Sequence, residues 1–343
     1  EVRRCLMAAF ALPEAAFETV VIKVMGDQVQ DKALREIGGK GLFTREIEEA
    51  LLSGAVDIAV HSMKDMPTLQ PDGLMIGCYL PREDVRDAFV SITYDDIYSL
   101  PMGETVGSSS LRRRAQLANY RADLNLVEFR GNVQTRLKKL QEGVAAATFL
   151  AMAGLNRLGM SMVARSVIEP EDMLPAVAQG AIGIERRTDD PRAEALLEAI
   201  HDAPTGERLA AERAYLATLD GSCQTPIAGL AIHAGEGLWL RGEILRPDGS
   251  DVIRGEIRCA IPDAAEAGAE SVSLGQGPSS ASTRVRSSSS ISPSAYSSPS
   301  KSCSRTSAHE AWAPSASDTT GKTAARAFSR ESHPAMIDHS ASA

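Results

Sequence analysis

Between residues 20 and 174, short apolar runs alternate with amphipathic stretches, and this alternation restricts the chain to an α/β architecture. Val20-Val21-Ile22-Lys23-Val24 reads as a strand. Residues 43–52 read as a helix with Phe43, Ile47, Ala50 and Leu51 on one face, following the glycine-rich turn Gly38-Gly39-Lys40-Gly41. A second strand is predicted over 56–60. It runs straight into His61-Ser62-Met63-Lys64-Asp65, and Pro67 stops it. In open α/β sheets, ligands bind beyond the carboxyl ends of strands. A hydroxyl, an ammonium and a carboxylate are therefore delivered where a ligand would sit, although the same residues would also serve as a solvated strand exit.

Residues 86–174 repeat the pattern. A strand at 105–107 leads through Ser108-Ser109-Ser110 into a helix from Leu111, with serine available as its cap. Residues 126–129 form the next predicted strand, Arg130-Gly131-Asn132 a turn, and 133–141 a helix burying Val133, Leu137 and Leu140. The glycine-punctuated segment 175–185 carries the chain back towards the first unit. A third unit begins near 203, with a helix over 207–219, the turn Gly221-Ser222-Cys223-Gln224-Thr225-Pro226, and strands near 227–233, 238–245 and 252–259. Pro247-Asp248-Gly249 predicts a hairpin between the last two. Residues 263–343 hold 23 serines and little apolar periodicity, which predicts disorder.

Composition narrows the function. The 343 residues are 43% hydrophobic, enough for two or three cored domains. A net charge of −9 argues against a general polyanion binder, and 4% aromatics against a nucleic-acid stacking platform. No apolar run is long enough to span a membrane, and the N-terminus has no signal-peptide layout. Cys5, Cys78, Cys223, Cys259 and Cys303 are scattered with no Cys-x-x-Cys pair, and the six histidines lack metal-ligand spacing. Neither a disulfide framework nor a metal site is expected, and a reducing cytoplasm fits best.

Within this acidic chain, cations gather at turns. Arg112, Arg113, Arg130 and Arg136 lie at or just after strand-to-helix turns, and Lys40 and Lys64 occupy comparable loop positions. Guanidinium groups bind carboxylates and phosphates through paired hydrogen bonds, and the amides and hydroxyls at 108–110 add to an anion site. Phosphate and polycarboxylate are equally compatible with this pattern. Arg114, Lys138 and Lys139 read as solvated helix-face charges. Asp65 suits a structural ion pair, stabilisation of a cationic intermediate or proton transfer. Cys223, in a tight turn with no histidine nearer in sequence than His233, suits a nucleophile, a covalent attachment point or a bystander thiol.

Taken in order, several motifs resemble the porphobilinogen deaminase (hydroxymethylbilane synthase) family. They are Gly38-Gly39-Lys40-Gly41-Leu42-Phe43, His61-Ser62-Met63-Lys64-Asp65-Met66-Pro67, Arg82-Glu83-Asp84 with Arg86-Asp87-Ala88-Phe89, and Gly107-Ser108-Ser109-Ser110-Leu111-Arg112-Arg113. Arg130-Gly131-Asn132-Val133-Gln134-Thr135-Arg136-Leu137, Leu150-Ala151-Met152-Ala153-Gly154-Leu155 and Gly221-Ser222-Cys223-Gln224-Thr225-Pro226-Ile227 complete the set, which covers roughly residues 20–260.

The resemblance implies two periplasmic-binding-protein-like α/β domains, a smaller α+β domain and a disordered tail. Domain 1 would span 1–80 and 178–200, domain 2 86–174, domain 3 203–262, and the tail 263–343. It implies a dipyrromethane cofactor held by a thioether to Cys223, and stepwise addition of four porphobilinogens with loss of ammonia before hydrolysis to hydroxymethylbilane. Asp65 matches the catalytic carboxylate. Ser62, Lys64, Ser108, Ser110, Arg112, Arg113, Arg130 and Gly131 match cofactor-binding positions. Lys40, Arg136, Ala151 and Gln179 match substrate-binding ones. A cytoplasmic monomer with porphobilinogen as partner, and neither nucleic acid nor membrane, is implied.

Three departures stand against the family pattern. An opening strand with an Arg-x-Ser element is expected before Glu1, and its absence would take a strand from the first sheet. The third domain stops matching near Ala269, which would leave a strand face uncovered. Ala146 stands where an aspartate is expected, Ala178 where a glycine is expected, and Val24-Met25 precedes Gly26-Asp27 where a Thr-containing turn is usual. The alternative reading is therefore an impaired family member that keeps only an anion-binding cleft.

Overall fold

The computed structural model describes residues 1–22, 44–222 and 225–274, together with the backbone of 322–325 and 336–338. Lys40, the 38–43 motif, the end of the first predicted strand and Cys223 lie outside the described residues.

The first sheet is built from β1 (Val20–Ile22), β2 (Ile58–Ser62), β3 (Leu74–Tyr79) and the later strand Ile182–Arg187. Every second residue of β2 points to the same face. Ile58 and Val60 pack with Val2 and Leu6 of α1 (Val2–Phe10), whereas Ala59 packs with Ile47 and Leu51 of α2 (Arg45–Leu52). Both faces are covered, which is why this strand is apolar until its end. The observed β2 starts two residues later than predicted and takes in His61 and Ser62. Met63–Asp65 then forms a single 3-10 turn.

The second sheet has the order β6-β5-β7-β4-β8, from β4 (Asp87–Ser91), β5 (Thr105–Gly107), β6 (Asn125–Val127), β7 (Ala147–Ala151) and β8 (Ser166–Ile168). β5 runs parallel to both neighbours, and β4 antiparallel to β7 and β8. Phe89 of β4 meets Phe149 edge to face on one side of the sheet, while Ala88 and Val90 join Phe129 and Leu150 on the other. Helix α3 (Leu111–Tyr120) follows β5 and helix α4 (Val133–Gln141) follows β6, both as predicted. Each has a side-chain cap, Ser110 accepting from the Arg113 amide and Asn132 from that of Thr135. Helix α5 (Met152–Arg157) starts directly from the end of β7.

Two chain crossings join the sheets, at 80–86 and 174–181, and they touch where the Glu83 amide donates to the Gly180 carbonyl at 3.2 Å. Gly180 has φ +85°, and a Cβ there would lie 2.6 Å from the Glu83 oxygen, so this contact requires glycine. Only after the second crossing does a strand form, β9 (Ile182–Arg187), shorter than the 175–185 segment suggested. It lies between β2 and β3, antiparallel to both. Helix α6 (Pro191–Glu198) returns over that sheet, capped by Asp190.

The third unit packs α7 (Ala203–Thr218) on the meander β10 (Ile227–Ala234), β11 (Gly237–Leu245) and β12 (Val252–Ala260), with the predicted hairpin at 247–249. The prediction that order ends near 263 is corrected. Helix α8 (Ala264–Leu274) packs on α7, and its Ala264 and Ala267 join the core holding Leu209 and Tyr215. Small alanines and Gly268, whose absent side chain lets the Ala211 carbonyl approach, make that close packing possible. A segment with few bulky apolar residues can thus be ordered by close packing of small ones. The assignment of 263–343 to a uniform tail is further corrected by β13 (Lys322–Ala325) and β14 (Met336–Asp338). These strands sit between β1 and β2 in the first sheet.

Candidate functional site

The 3-10 turn after β2 lies close enough to Arg113 of α3 and Arg136 of α4 for their charges to act on Lys64. Lys64 is half-buried in this turn. Burial lowers its pKa, and the guanidiniums of Arg113 and Arg136 push the same way against the opposing pull of Asp65 and Asp87. Five charged groups from both α/β units therefore sense one another. Asp65 closes the turn as its last residue, half-buried beside Lys64.

Arg112 and Arg113 are both buried at the start of α3. Arg112 donates through Nη1 to Asp87 Oδ2 at 2.6 Å and to the Leu174 carbonyl at 3.2 Å. Arg113 donates through Nη2 to Asp87 Oδ1 at 2.7 Å and through Nη1 to the Phe149 carbonyl at 3.0 Å. Burial alone would raise the Asp87 pKa, but the two guanidiniums overcome it and hold the carboxyl well below the usual range. The Nε–H groups of both arginines and the Oγ of Ser109 are buried without a protein partner. Such donors fit an acidic ligand entering beside Ser108–Ser110.

Arg136, on the first turn of α4, donates through Nε to the Gly131 carbonyl at 2.8 Å. Burial, together with Arg113 and Arg130, lowers its pKa to about 10 despite the opposing charge of Glu128. An uncompensated cation of this kind gains most from an anion. Gly131 takes φ +125°, and a Cβ there would strike the Thr135 side chain at 2.6 Å, so the loop before α4 depends on glycine. Arg130 neighbours Arg136 closely enough to lower its pKa, and its carbonyl accepts from Lys139 Nζ at 2.8 Å. Lys139 also lies over the Phe129 ring at 5.6 Å, so it is not the purely solvated charge expected, whereas Lys138 pairs with Glu142 at the surface. Arg114 likewise has partners, the Ser108 carbonyl and Glu128, both at 3.4 Å.

Gln179 is buried in the second crossing. Its Nε2 donates to the Val85 carbonyl at 2.7 Å and to Asp87 Oδ1 at 2.8 Å. Ala151 ends β7 directly opposite Asp87. On the flanks of position 223, the Ser222 amide donates to Thr225 Oγ1 at 2.9 Å and that hydroxyl donates back to the Ser222 carbonyl at 2.7 Å.

Sequence reasoning assigned no role to Asp87 or to the pair His61–Glu185. His61 Nε2 lies 2.9 Å from Glu185 Oε2, both side chains buried, so the pair fixes the end of β2 on β9 just before Lys64. A histidine inside an otherwise apolar strand, and a glutamate following the apolar start of β9, were the available signals. Among the described residues no group of histidine, cysteine and carboxylate side chains could hold a metal ion, and no helix is long and apolar enough to cross a membrane.

A family model described as porphobilinogen deaminase, dipyromethane cofactor binding domain, matches residues 1–195, and one described as porphobilinogen deaminase, C-terminal domain, matches residues 207–273. A porphobilinogen deaminase of Paracoccus denitrificans (strain Pd 1222) is 70% identical over 256 residues, which is 75% of this chain and 82% of the relative. Among solved structures, a periplasmic substrate-binding protein of a Coxiella burnetii ABC transporter is 17% identical with a TM-score of 0.31. It covers 46% of this chain and 76% of its own. An arginine-specific periplasmic binding protein of Salmonella typhimurium is 15% identical with a TM-score of 0.29, covering 47% and 71%.

Proposed function

The chain belongs to the porphobilinogen deaminase family, and from that premise we propose that it is a hydroxymethylbilane synthase. It joins four porphobilinogens in turn, releasing ammonia from each, and frees hydroxymethylbilane by hydrolysis. The observation that carries this reading is the convergence of Lys64, Asp65, Arg113 and Arg136 from two α/β units. Porphobilinogen brings two carboxylates per pyrrole, and the cleft offers several cations, Lys64, Arg113, Arg130 and Arg136, that act on one another. That pattern favours a polycarboxylate over a single phosphate, the choice that spacing in the sequence left open.

Dipyrromethane fits the residues present. The unpartnered Nε–H groups of Arg112 and Arg113 and the Ser109 hydroxyl offer donors to its acidic side chains. Ser62, Lys64, Ser108, Ser110, Arg130 and Gly131 would help to hold it, with Cys223 as the attachment point. When bound, the cofactor supplies the free pyrrole carbon at which assembly starts.

The chain's own residues then do three things. Arg136, with Lys40, Ala151 and Gln179, positions the incoming porphobilinogen so that its aminomethyl carbon faces the growing end. Asp65 accepts hydrogen bonds from pyrrole N–H groups and offsets the positive charge that develops as the aminomethyl nitrogen leaves as ammonia. Lys64 and Asp65 are only half-buried, and the nearby cations hold the substrate's carboxylates while Asp65 faces the reacting end. The acidic net charge, with its cations focused in one cleft, favours a small anionic substrate over a nucleic-acid partner; we take the enzyme to be a cytoplasmic monomer, as the family resemblance implies.

Intact-mass measurement of the purified chain, with and without porphobilinogen, tests the reading. A covalent adduct that disappears in Cys223→Ser, accompanied by ammonia release in the parent chain, is expected. No adduct and no ammonia would overturn it.

A further inference from the structure

We propose that Asp87 is a positioning residue, an internal counter-anion that sets the carboxylate affinity of the cleft arginines and ties them to the hinge between the two α/β units. The proposal rests on the reading above only in taking the cleft's ligand to be a carboxylate.

Asp87 is the first residue of β4, immediately after the chain has crossed from one unit to the other. It is fully buried. One oxygen accepts from Arg112 at 2.6 Å, and the other accepts from both Arg113 at 2.7 Å and Gln179 at 2.8 Å. Gln179 belongs to the opposite crossing and also holds the Val85 carbonyl of the first. A single carboxylate thus bonds both crossings and both arginines.

The charge balance follows. Two buried guanidiniums share the Asp87 carboxylate, and the nearest further anion, Glu243, reaches Arg112 only through its field and through Gln116, so Arg113 in particular is left able to accept a ligand anion. Each guanidinium still has an unpartnered Nε–H. Lys64 and Arg136 sense the charge of Arg113, so a ligand held by them lies within electrostatic reach of the pair. Asp87 and the ligand carboxylate therefore draw on the same cations. As Arg113 turns its fork towards a ligand, the shared Asp87 oxygen is released towards Gln179, and the crossings tighten. The internal anion weakens ligand binding while keeping the arginines oriented, which suits a site that must repeatedly admit and advance an acidic chain.

Removing the charge while keeping the shape separates this role from ordinary packing. Asp87→Asn is expected to bind succinate, used as an unreactive dicarboxylate probe, about tenfold more tightly than the parent chain. Added succinate should raise its melting temperature more than that of the parent. With porphobilinogen, KM and kcat should fall together, because acidic ligands are held more tightly by arginines that are no longer oriented. A purely structural role would lower stability and kcat while leaving succinate affinity unchanged. Should Asp87→Asn fail to fold without anions, the double variant Asp87→Asn/Arg112→Gln removes one cation with the anion and should fold with near-parental succinate affinity. Unchanged or weaker succinate binding by folded Asp87→Asn, or a double variant that does not fold, overturns the proposal. Succinate binding is read without turnover, so an inactive parent chain would count against the enzymatic reading and not against this one.

Discussion

Arg82 lays its guanidinium flat against the carboxylate of Glu212, Nη1 to Oε1 at 2.7 Å and Nη2 to Oε2 at 3.0 Å, with both side chains buried. The same carboxylate accepts from the Ala178 amide at 2.7 Å and the Ala231 amide at 2.8 Å, while Arg82 Nε donates to the Gln179 carbonyl. One pair therefore joins the first crossing, the second crossing, α7 and β10. Glu212→Gln leaves the guanidinium buried with no charge partner and should lower unfolding stability by about 3–5 kcal/mol. Denaturant melts of the single variants and of the double variant with Arg82→Met would check this, the double being less destabilised than the sum.

Ala178 has φ +61° in a buried position, the conformation that the expected glycine would take without strain. Strain in the left-handed region is about 1–2 kcal/mol for a residue with a Cβ. Relieving it offsets the lost methyl contact and the added freedom of the unfolded chain. Ala178→Gly should therefore change stability by less than about 1 kcal/mol, whereas Ala181→Gly, buried nearby without positive φ, should lower it by at least that amount. Equal losses in thermal melts would refute the strain argument.

Asp65→Asn keeps size and polarity at the end of the 3-10 turn and removes the charge. The fold should persist, with an unchanged melting curve, and ammonia release should fall by about a hundredfold or more. Turnover near that of the parent would make the carboxylate a structural partner only.

Lys64 and Arg136 have lowered pKa values in the ligand-free chain, that of Arg136 to about 10. A bound carboxylate stabilises their protonated forms and raises both values, so binding takes up protons between the free and bound pKa. Affinity for an acidic ligand should be flat below the lowered Lys64 value and fall as pH rises through it, before an ordinary lysine would titrate. The folded chain alone behaves in the opposite sense. Its lowered cationic pKa values subtract stability below them and return it as pH rises towards the unfolded values. Calorimetric succinate binding against pH, with Lys64→Met as the variant that flattens the early fall, would measure the first effect. A fall only above the ordinary lysine range would contradict it.

Much of the fold was legible because the signals were local. The helix from Leu111 with its Ser110 cap, the helix over 133–141 and the meander with its hairpin at 247–249 follow from periodicity, caps and turn residues. The misses were set by contacts distant in sequence. Residues 175–181 read as strand because they are apolar, but their backbone bonds close local turns (Gln179 to Ala176, Ala181 to Ala178) or go to Glu83, Gly229, Met63 and Glu212, leaving β9 to start at Ile182. Helix α8 is ordered by its fit against α7, which no window of small residues advertises.

The sequence alone determined the α/β class, the family, and the residue types at the cleft, because apolar period, capping chemistry and ordered motifs are written along the chain. Tertiary structure decided what each charge does. Arg112, Arg113 and Arg114 are consecutive in sequence, yet the first two are buried on Asp87 and the third reaches towards Glu128. Asp87 and Gln179 are ninety-two positions apart and share a hydrogen bond. Whether a cation is solvated, neutralised or poised for a ligand depends on burial and on its partners, and both are properties of the folded chain.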